Sequence, residues 1–191
     1  MRSPYKGRFK VTQQFKGNIH DGLDLVGLDG KEIYSTVNGR VEKAGWESLA
    51  NKKKGFGLYV RILKNNSRDK YYFGHLSELR VKAGDRVKVG DIIGIEGSTG
   101  YSSGSHCHYC ARTLGLKSKA LDISLISGIP NKIGVYSEKN TQKKKTAEQL
   151  AMEVIQGKWG NGEERRLKLT KAGYDYCEIQ KKVNELLKGG K

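Results

Sequence analysis

Proline, cysteine and histidine are scarce in this sequence, with 2, 3 and 4 residues respectively among 191. So few prolines exclude a proline-rich extended chain and, with 36% hydrophobic residues, favour a folded protein. Three cysteines cannot all pair within one chain, so we expect free thiols and no disulfide framework. No apolar run of about 20 residues is present, so we expect no stable membrane insertion.

Acidic residues are also few: the sequence has 20 acidic and 36 basic residues, which gives a net charge of +16. Such a charge favours a polyanionic partner, either nucleic acid, a membrane surface or anionic cell-wall polymers. No helix-turn-helix, aromatic RNA-binding or zinc-finger pattern accompanies it, so we expect no nucleic-acid partner. The opening stretch MRSPYKGRFKVTQQF is basic but lacks the apolar segment of a secretory signal. We therefore expect a cytosolic protein, or one that another agent releases.

Glycine, by contrast, is abundant with 25 residues, and short alternating apolar runs separated by turns fill most of the chain. Hairpins are predicted around Asn38-Gly39 and over residues 57–74. No stretch before Thr146 has sustained helical periodicity. The sequence therefore predicts a mainly β domain over residues 1–133, with an antiparallel sheet and a site in a groove on one sheet face.

The pattern changes near the C-terminus. Residues 134–145, GVYSEKNTQKKK, are polar and increasingly basic, which predicts an extended linker. From Thr146 apolar residues recur at helical spacing, with Gln149 placed for a capping box, and three short helices are predicted. Residues 146–191 are therefore expected to form a small all-α three-helix domain near the lower size limit for independent folding.

The few histidines occupy positions that suit a metal site. His106 and His108 are separated by one residue on a predicted strand, so their side chains face the same way. His20 precedes Asp24 by four residues, and Gly22 between them favours a bend that lets both side chains converge. His20, Asp24 and one of the paired histidines would give zinc three ligands and leave one position for water, as in catalytic zinc sites.

Other residues near these motifs have competing interpretations. His75 ends the aromatic run YYFGHLS, where it is placed for proton transfer beside a metal. Asp21 is the alternative carboxylate ligand, although the spacing favours Asp24. Cys107 alternates away from the histidines and is expected in the core. Cys110 shares their face, and we hypothesise that it lies near the metal and makes the protein sensitive to oxidation.

The motifs HDGLD, GHLS and GSTG followed by SHCH resemble those of the lysostaphin-type zinc endopeptidases. Enzymes of that family cut cross-bridges or stem peptides of bacterial peptidoglycan with a zinc-activated water. The resemblance covers residues 9–130, with the three motifs in the same order. It implies metal ligands and catalytic residues as follows: His20, Asp24 and His108 bind zinc, and His75 and His106 flank the water. The family usually has a carboxylate near the position of Cys110, and this departure leaves open which group hydrogen-bonds the metal-binding histidine.

The segment GKWGNGEERRLKLTKAGYDYCEIQKKVNE, residues 157–185, is similar to a cell-wall-binding repeat found at the ends of some phage lysins. The implied ligand is the glycan-peptide unit of peptidoglycan. The candidate contact residues lie in or beside the WGNG loop: Trp159, Asn161, Arg165 and Arg166. The alternatives are a structural role for the tryptophan and simple solvation of the two arginines.

Together the two modules resemble a phage endolysin, which accumulates in the host cytoplasm and reaches the wall through a membrane lesion made by another protein. The excess positive charge would add attraction to anionic wall polymers. The alternative is a non-catalytic wall-binding or activator protein that retains the peptidase fold. The bond that is cut could lie in a glycine cross-bridge, a D-Ala-linked bridge or a stem peptide. The shape of the loops around the site determines which of these bonds is cleaved.

Overall fold

The computed structural model describes residues 3–113, 119–138 and 145–188, without the side chains of Lys171 and Lys188. It contains two compact units, Met1–Thr141 and Gln142–Lys191. Within the described ranges, no helix has the length and apolar character needed to cross a membrane.

The first unit is built from short strands. Its elements in chain order are β1 (Arg8–Gln13), β2 (Gly22–Gly27), β3 (Glu32–Tyr34), β4 (Gly39–Trp46), β5 (Leu58–Lys64), β6 (Asp69–Gly74), β7 (Glu78–Leu79), β8 (Arg86–Val87), β9 (Ile92–Ile95), β10 (Cys107–Thr113), β11 (Lys119–Leu121), α1 (Ile123–Ser127) and β12 (Gly134–Ser137). The main sheet has the order β12-β1-β2-β10-β6-β5-β4-β8, with β11 beside β10, and a smaller sheet has the order β3-β9-β7. The described strand pairs are antiparallel. The prediction of a mainly β domain with an antiparallel sheet is confirmed.

Alternation along the central strands separates the core from the opposite sheet face. Leu23 and Leu25 of β2 are fully buried in the core, and so are Cys107 and Tyr109 of β10. Residues between them point to the other face, because successive side chains of a strand alternate. The second face therefore receives Asp24 of β2 and His108 and Arg112 of β10.

One predicted hairpin is confirmed and the other is wrong. β5 and β6 pair as an antiparallel hairpin within residues 57–74. Gly39 is the first residue of β4, and the preceding strand β3 belongs to a different sheet. The reason lies in Asn38 itself, whose carbonyl oxygen accepts from the backbone N–H of Asn65 and whose side chain accepts from that of Val89. Bonds to distant segments thus replace the local turn.

The predicted linker begins too early, since residues 134–137 form β12 and pair with β1. Tyr136 lies opposite Phe9 in this pairing and packs against the core, which gives the segment apolar anchorage. Residues 139–144 of the predicted linker lie outside the described residues. The helix α1 was not predicted, because five residues are too few to show helical periodicity.

The second unit contains three helices in its described part, α2 (Ala147–Ile155), α3 (Gly162–Lys171) and α4 (Tyr176–Lys188). The predicted capping box is present, because the Thr146 side chain accepts from the backbone N–H of Gln149 and the Gln149 side chain accepts from that of Thr146. The helices bury a small apolar core: Leu150, Ala151, Val154, Leu169, Ile179 and Val183.

Candidate functional site

Three neighbouring strands of the main sheet place the polar residues of the site. His108 of β10 lies directly opposite Asp24 of β2 and opposite Gly74 of β6. Asp24 and His108 both project from the face opposite the core, and His75 follows β6 at its end. The register of β2, β10 and β6 thus brings together motifs that are far apart in the sequence.

The three predicted metal ligands converge on one point. The Oδ1 atom of Asp24 lies 3.1 Å from Nε2 of His20 and 2.9 Å from Nδ1 of His108. Ligand atoms of all three residues lie within 4.8 Å of one another. Tetrahedral zinc with ligands at about 2.0–2.2 Å separates them by roughly 3.3–3.6 Å, so this set of two imidazoles and one carboxylate fits zinc.

Hydrogen bonds fix the orientation of the histidine rings. In three of them Nδ1 lies against a backbone carbonyl oxygen: His20 against Gln14 at 2.7 Å, His75 against Thr99 at 2.7 Å and His106 against Gly104 at 2.8 Å. A carbonyl oxygen only accepts, so each Nδ1 donates, and Nε2 keeps its lone pair in the neutral ring. His20 therefore presents Nε2 to Asp24.

His108 has the opposite orientation, with Nδ1 towards Asp24 and Nε2 3.2 Å from Oδ1 of Asp21. The other oxygen of Asp21 accepts from Nε and Nη2 of Arg112 at 2.9 and 2.6 Å. Burial raises the pKa of Asp21, but hydrogen bonds to His108 and Arg112 outweigh it and hold this pKa well below its usual value. Asp21 and Asp24 thus contact different nitrogens of one ring.

His75 and His106 lie side by side, next to the ligand set, with ring centroids 4.6 Å apart. Nε2 of His106 is 3.6 Å from Oδ1 of Asp24. His75 has a left-handed backbone with φ +63°, which a residue with a side chain rarely adopts and which often marks a functional position. Burial lowers the pKa of His75 to about 4, with the neighbouring His106 and His108 contributing, so the ring is neutral near pH 7.

Gly22 has a role that differs from the predicted bend. It is the first residue of β2, and Asp24 lies on this regular strand. A Cβ atom at Gly22 would lie 2.7 Å from Nε2 of His108 and 2.7 Å from the carbonyl oxygen of Tyr109. Glycine is therefore required here because the imidazole and the neighbouring strand approach closely.

The two cysteines of β10 lie on opposite sides of the sheet, as alternation predicts. Cys107 is fully buried in the main core. Cys110 lies near His108 and Asp21 and packs with Tyr59 and Tyr72. The hypothesis that it lies near the metal ligands agrees with this position. Burial raises the pKa of its thiol and removes it from solvent, which opposes the oxidation part of the hypothesis.

A groove of about 1050 Å³ contains the site. Its walls include the five predicted site residues together with Ile19 and Tyr101, which are 87% and 85% exposed. Exposed apolar side chains at the rim of an open groove offer contact surface for an extended ligand. Sequence reasoning placed a groove here but did not identify Ile19 as part of it.

In the second unit, Trp159 makes structural contacts. Its Nε1 donates to Glu153 at 3.0 Å, and its ring meets Tyr174 edge-on with centroids 6.0 Å apart. It also packs against the helical core. These contacts support the structural alternative for Trp159 and leave only part of the ring accessible.

The two arginines of α3 have different surroundings. Arg165 donates to the carbonyl oxygen of Gly160 and to the side chains of Asn161 and Gln180, which ties the WGNG loop to α3 and α4. Arg166 makes a 3.7 Å ion pair with Glu163, and 62% of its side chain is exposed. Arg166 is thus the more accessible of the two cations.

Two segments of the chain match known protein families. Residues 18–122 match peptidase family M23, and residues 148–187 match the CW_7 repeat. Lysostaphin of Staphylococcus staphylolyticus is 37% identical over 93 residues, which are 49% of this chain and 18% of that protein. Peptidoglycan DD-endopeptidase ShyC of Vibrio cholerae is 38% identical over 99 residues, 52% of this chain and 21% of ShyC. The chain thus spans about a fifth of the length of each of these relatives.

Among solved structures, a peptidase domain resembles this chain over nearly the whole length of that domain. It is the catalytic domain of the prophage-encoded M23 protein EnpA from Enterococcus faecalis, determined as a mutant. The likeness has a TM-score of 0.52 and 27% identity, and it covers 64% of this chain and 95% of that chain.

Proposed function

The chain belongs to peptidase family M23, and from this premise we propose that it is a zinc endopeptidase that hydrolyses peptide bonds of bacterial peptidoglycan. The observation that carries the proposal is the convergence of His20 Nε2, Asp24 Oδ1 and His108 Nδ1 in an open groove. Three protein ligands leave a coordination position for water, the arrangement of catalytic and not structural zinc sites.

The chemistry that zinc supplies when bound is Lewis acidity, which lowers the pKa of a water to about 7 and polarises a carbonyl group. His20, Asp24 and His108 are the proposed ligands. Two further histidines, His75 and His106, donate from Nδ1 to carbonyl oxygens, so Nε2 is the nitrogen that carries the lone pair of the neutral ring. We assign proton transfer and stabilisation of the developing oxyanion to these two Nε2 positions.

Peptidoglycan is the proposed substrate because a relative named a peptidoglycan DD-endopeptidase shares the peptidase segment. The groove is open, so a peptide that is part of a large polymer can enter it from the side. A glycine cross-bridge, a D-Ala-linked bridge and a stem-peptide bond remain the candidate bonds. Groove residues outside the ligand set, such as Tyr101 and Lys53, are expected to select among them.

We propose that the three-helix domain of residues 146–191 binds the glycan-peptide unit of the wall. The match to the CW_7 repeat supports this role. The side chain of Arg166 is 62% exposed, whereas Trp159, Asn161 and Arg165 also serve the domain's own structure. Binding to an insoluble polymer raises the effective concentration of the peptidase at its substrate. The net charge of +16 adds attraction to anionic wall polymers.

We further propose that the protein acts as a phage endolysin, made in the host cytoplasm and acting at the wall after release by another protein. Two observations support this origin: a peptidase of family M23 is joined to a CW_7 repeat, and the likeness to EnpA involves a prophage-encoded protein.

Mass spectrometry of purified peptidoglycan digested by the zinc-loaded protein tests the activity and identifies the bond. We expect new amine termini and shorter peptides with the wild type and neither with His106→Ala. The rival function, a non-catalytic wall-binding or activator protein, predicts intact peptides from a zinc-loaded protein that still sediments with cell walls.

A further inference from the structure

The three proposed metal ligands alone do not explain why the ring of His108 turns Nδ1, and not Nε2, towards Asp24. His20 is held by a carbonyl oxygen at Nδ1 and offers Nε2 to Asp24. His108 offers Nδ1 to Asp24, so its ring must be held from the Nε2 side. Metal-binding histidines are usually held in this way, by a carboxylate or carbonyl that accepts from the second ring nitrogen.

We propose that Asp21 is the positioning residue of the metal centre and that Arg112 holds it in place, an inference that rests on the proposed zinc site. Oδ1 of Asp21 lies 3.2 Å from Nε2 of His108. Because a carboxylate only accepts, the hydrogen of this contact belongs to Nε2 of His108, and Nδ1 is the nitrogen that can bind the metal beside Asp24.

Arg112 makes this arrangement rigid. It donates from Nε and Nη2 to the other oxygen of Asp21, at 2.9 and 2.6 Å. Its guanidinium group also lies over the rings of Phe56 and Tyr72, 5.5 and 5.2 Å from their centroids. A planar guanidinium that is both stacked and hydrogen-bonded has little freedom, so the orientation of the carboxylate is fixed.

The neighbouring strand positions explain why the carboxylate comes from outside β10. Cys110 lies two residues after His108 on the same face, but a thiol is a weak hydrogen-bond acceptor. Gly22 is paired directly with Cys110 across the β2–β10 ladder. The absence of a side chain at Gly22 leaves room for the imidazole, and Asp21 immediately before it reaches Nε2. The chain thus supplies from the β2 side a stronger acceptor than the Cys110 thiol, which also lies within hydrogen-bonding reach of His108.

The proposal is tested by measuring the zinc affinity of the purified full-length protein. The measurement uses competition with a chromophoric chelator at fixed pH. Loss of a group that orients a metal ligand weakens metal binding about 10–100-fold, and we expect Asp21→Ala to fall in that range. Arg112→Gln should have a smaller effect in the same direction, since it leaves the carboxylate but frees it. Asp29→Asn is the matched control, because it also removes a carboxylate bound by Nε and Nη2 of one arginine, Arg8, whose backbone N–H donates to it as well, at an exposed pair.

Nitrogen NMR of the histidine rings in the zinc-loaded protein supplies a second readout that general destabilisation would not reproduce. We expect His108 to carry hydrogen on Nε2 in the wild type, whereas the other three rings carry it on Nδ1. In Asp21→Ala, the Nε2 hydrogen of His108 loses its acceptor and should exchange with water faster, while the Nδ1 hydrogens of the other three rings keep their exchange rates. Zinc affinity of Asp21→Ala within twofold of wild type, or an unchanged exchange rate of the His108 Nε2 hydrogen, would overturn the proposal. Neither readout uses peptide hydrolysis, so a failure of the peptidase proposal would show separately in the digestion experiment.

Discussion

The Nε2 atom of His106 lies 3.6 Å from the Oδ1 atom of Asp24, the same oxygen that His20 and His108 approach. A proposed catalytic nitrogen and the proposed metal ligands therefore surround one carboxylate oxygen. The relationship follows from sheet register, because Asp24 and His108 are directly opposite each other in adjacent strands. Metal binding and proton transfer are thus placed within one small volume of the groove.

His75 and His106 are expected to be needed for turnover and dispensable for zinc. Each ring is held through Nδ1 by a carbonyl oxygen and neither belongs to the ligand set. Alanine at either position should lower kcat on a soluble peptide by about 10²–10⁴-fold, the usual contribution of a positioned acid or base. Zinc content should stay at one ion per chain. Loss of zinc from His106→Ala would move that residue into the ligand set.

Gly22→Ala should disturb both stability and zinc binding. The added Cβ would lie 2.7 Å from His108 Nε2 and from the Tyr109 carbonyl oxygen, so the strand or the ring must shift. We expect a loss of about 1–3 kcal/mol in the free energy of unfolding, typical of overpacking, and weaker zinc affinity. Urea unfolding and chelator competition measure the two effects. A Cβ at Gly104 meets nothing within 4 Å, so Gly104→Ala should keep wild-type stability; equal losses in both variants would contradict the steric explanation.

Glu96 is expected to stabilise the first unit in a pH-dependent way. Its buried carboxylate accepts from Tyr5, Lys31, Ser105 and the backbone N–H of Gly27. Burial raises the pKa of Glu96, but the hydrogen bonds, that from Lys31 first, outweigh it and hold the pKa below the usual value. A carboxylate whose pKa is lower in the folded than in the unfolded protein stabilises the fold fully above its unfolded pKa, about 4.3. This stabilisation is lost as the pH falls through the folded pKa.

Comparing the stability of wild type and Glu96→Gln at different pH values tests the direction of this pH dependence. At pH 7 the variant should be about 2 kcal/mol less stable, the scale of hydrogen bonds to a charged group. The difference should shrink as the pH is lowered below about 4.3. Urea unfolding over this pH range measures it, and a difference that grows in acid would contradict the assignment.

Removal of residues 146–191 should separate wall binding from chemistry. The first unit has its own apolar core and contains the whole ligand set. We expect lysis of whole cells to fall at least tenfold, within the range that tethering supplies, and hydrolysis of a small soluble peptide to stay within twofold. Arg166→Ala in the full chain should reproduce part of the loss on cells. Equal losses on cells and on the soluble peptide would refute this division.

Local pattern was enough to predict the mainly β first unit and the helices of the second. The strand alternation that separates Cys107 from His108, and the capping box of Thr146 and Gln149, depend on residues close in sequence. The contact of Asp21 with Arg112 was not predicted, because these residues are 91 positions apart and meet only through the β2–β10 register. For the same reason Asn38 was assigned to a local hairpin when its bonds join two distant segments.

Zinc K-edge X-ray absorption of the zinc-loaded protein tests the central claim most directly. The described residues contain a second group with ligand atoms close together, Asp21, His108 and Cys110. This group would bind the metal through a sulfur atom, whereas the proposed group contains none. We predict only nitrogen and oxygen neighbours at about 2.0–2.2 Å, with two imidazoles and one carboxylate. A sulfur neighbour at about 2.3 Å would place the metal on the Cys110 side and contradict the assignment of His20, Asp24 and His108.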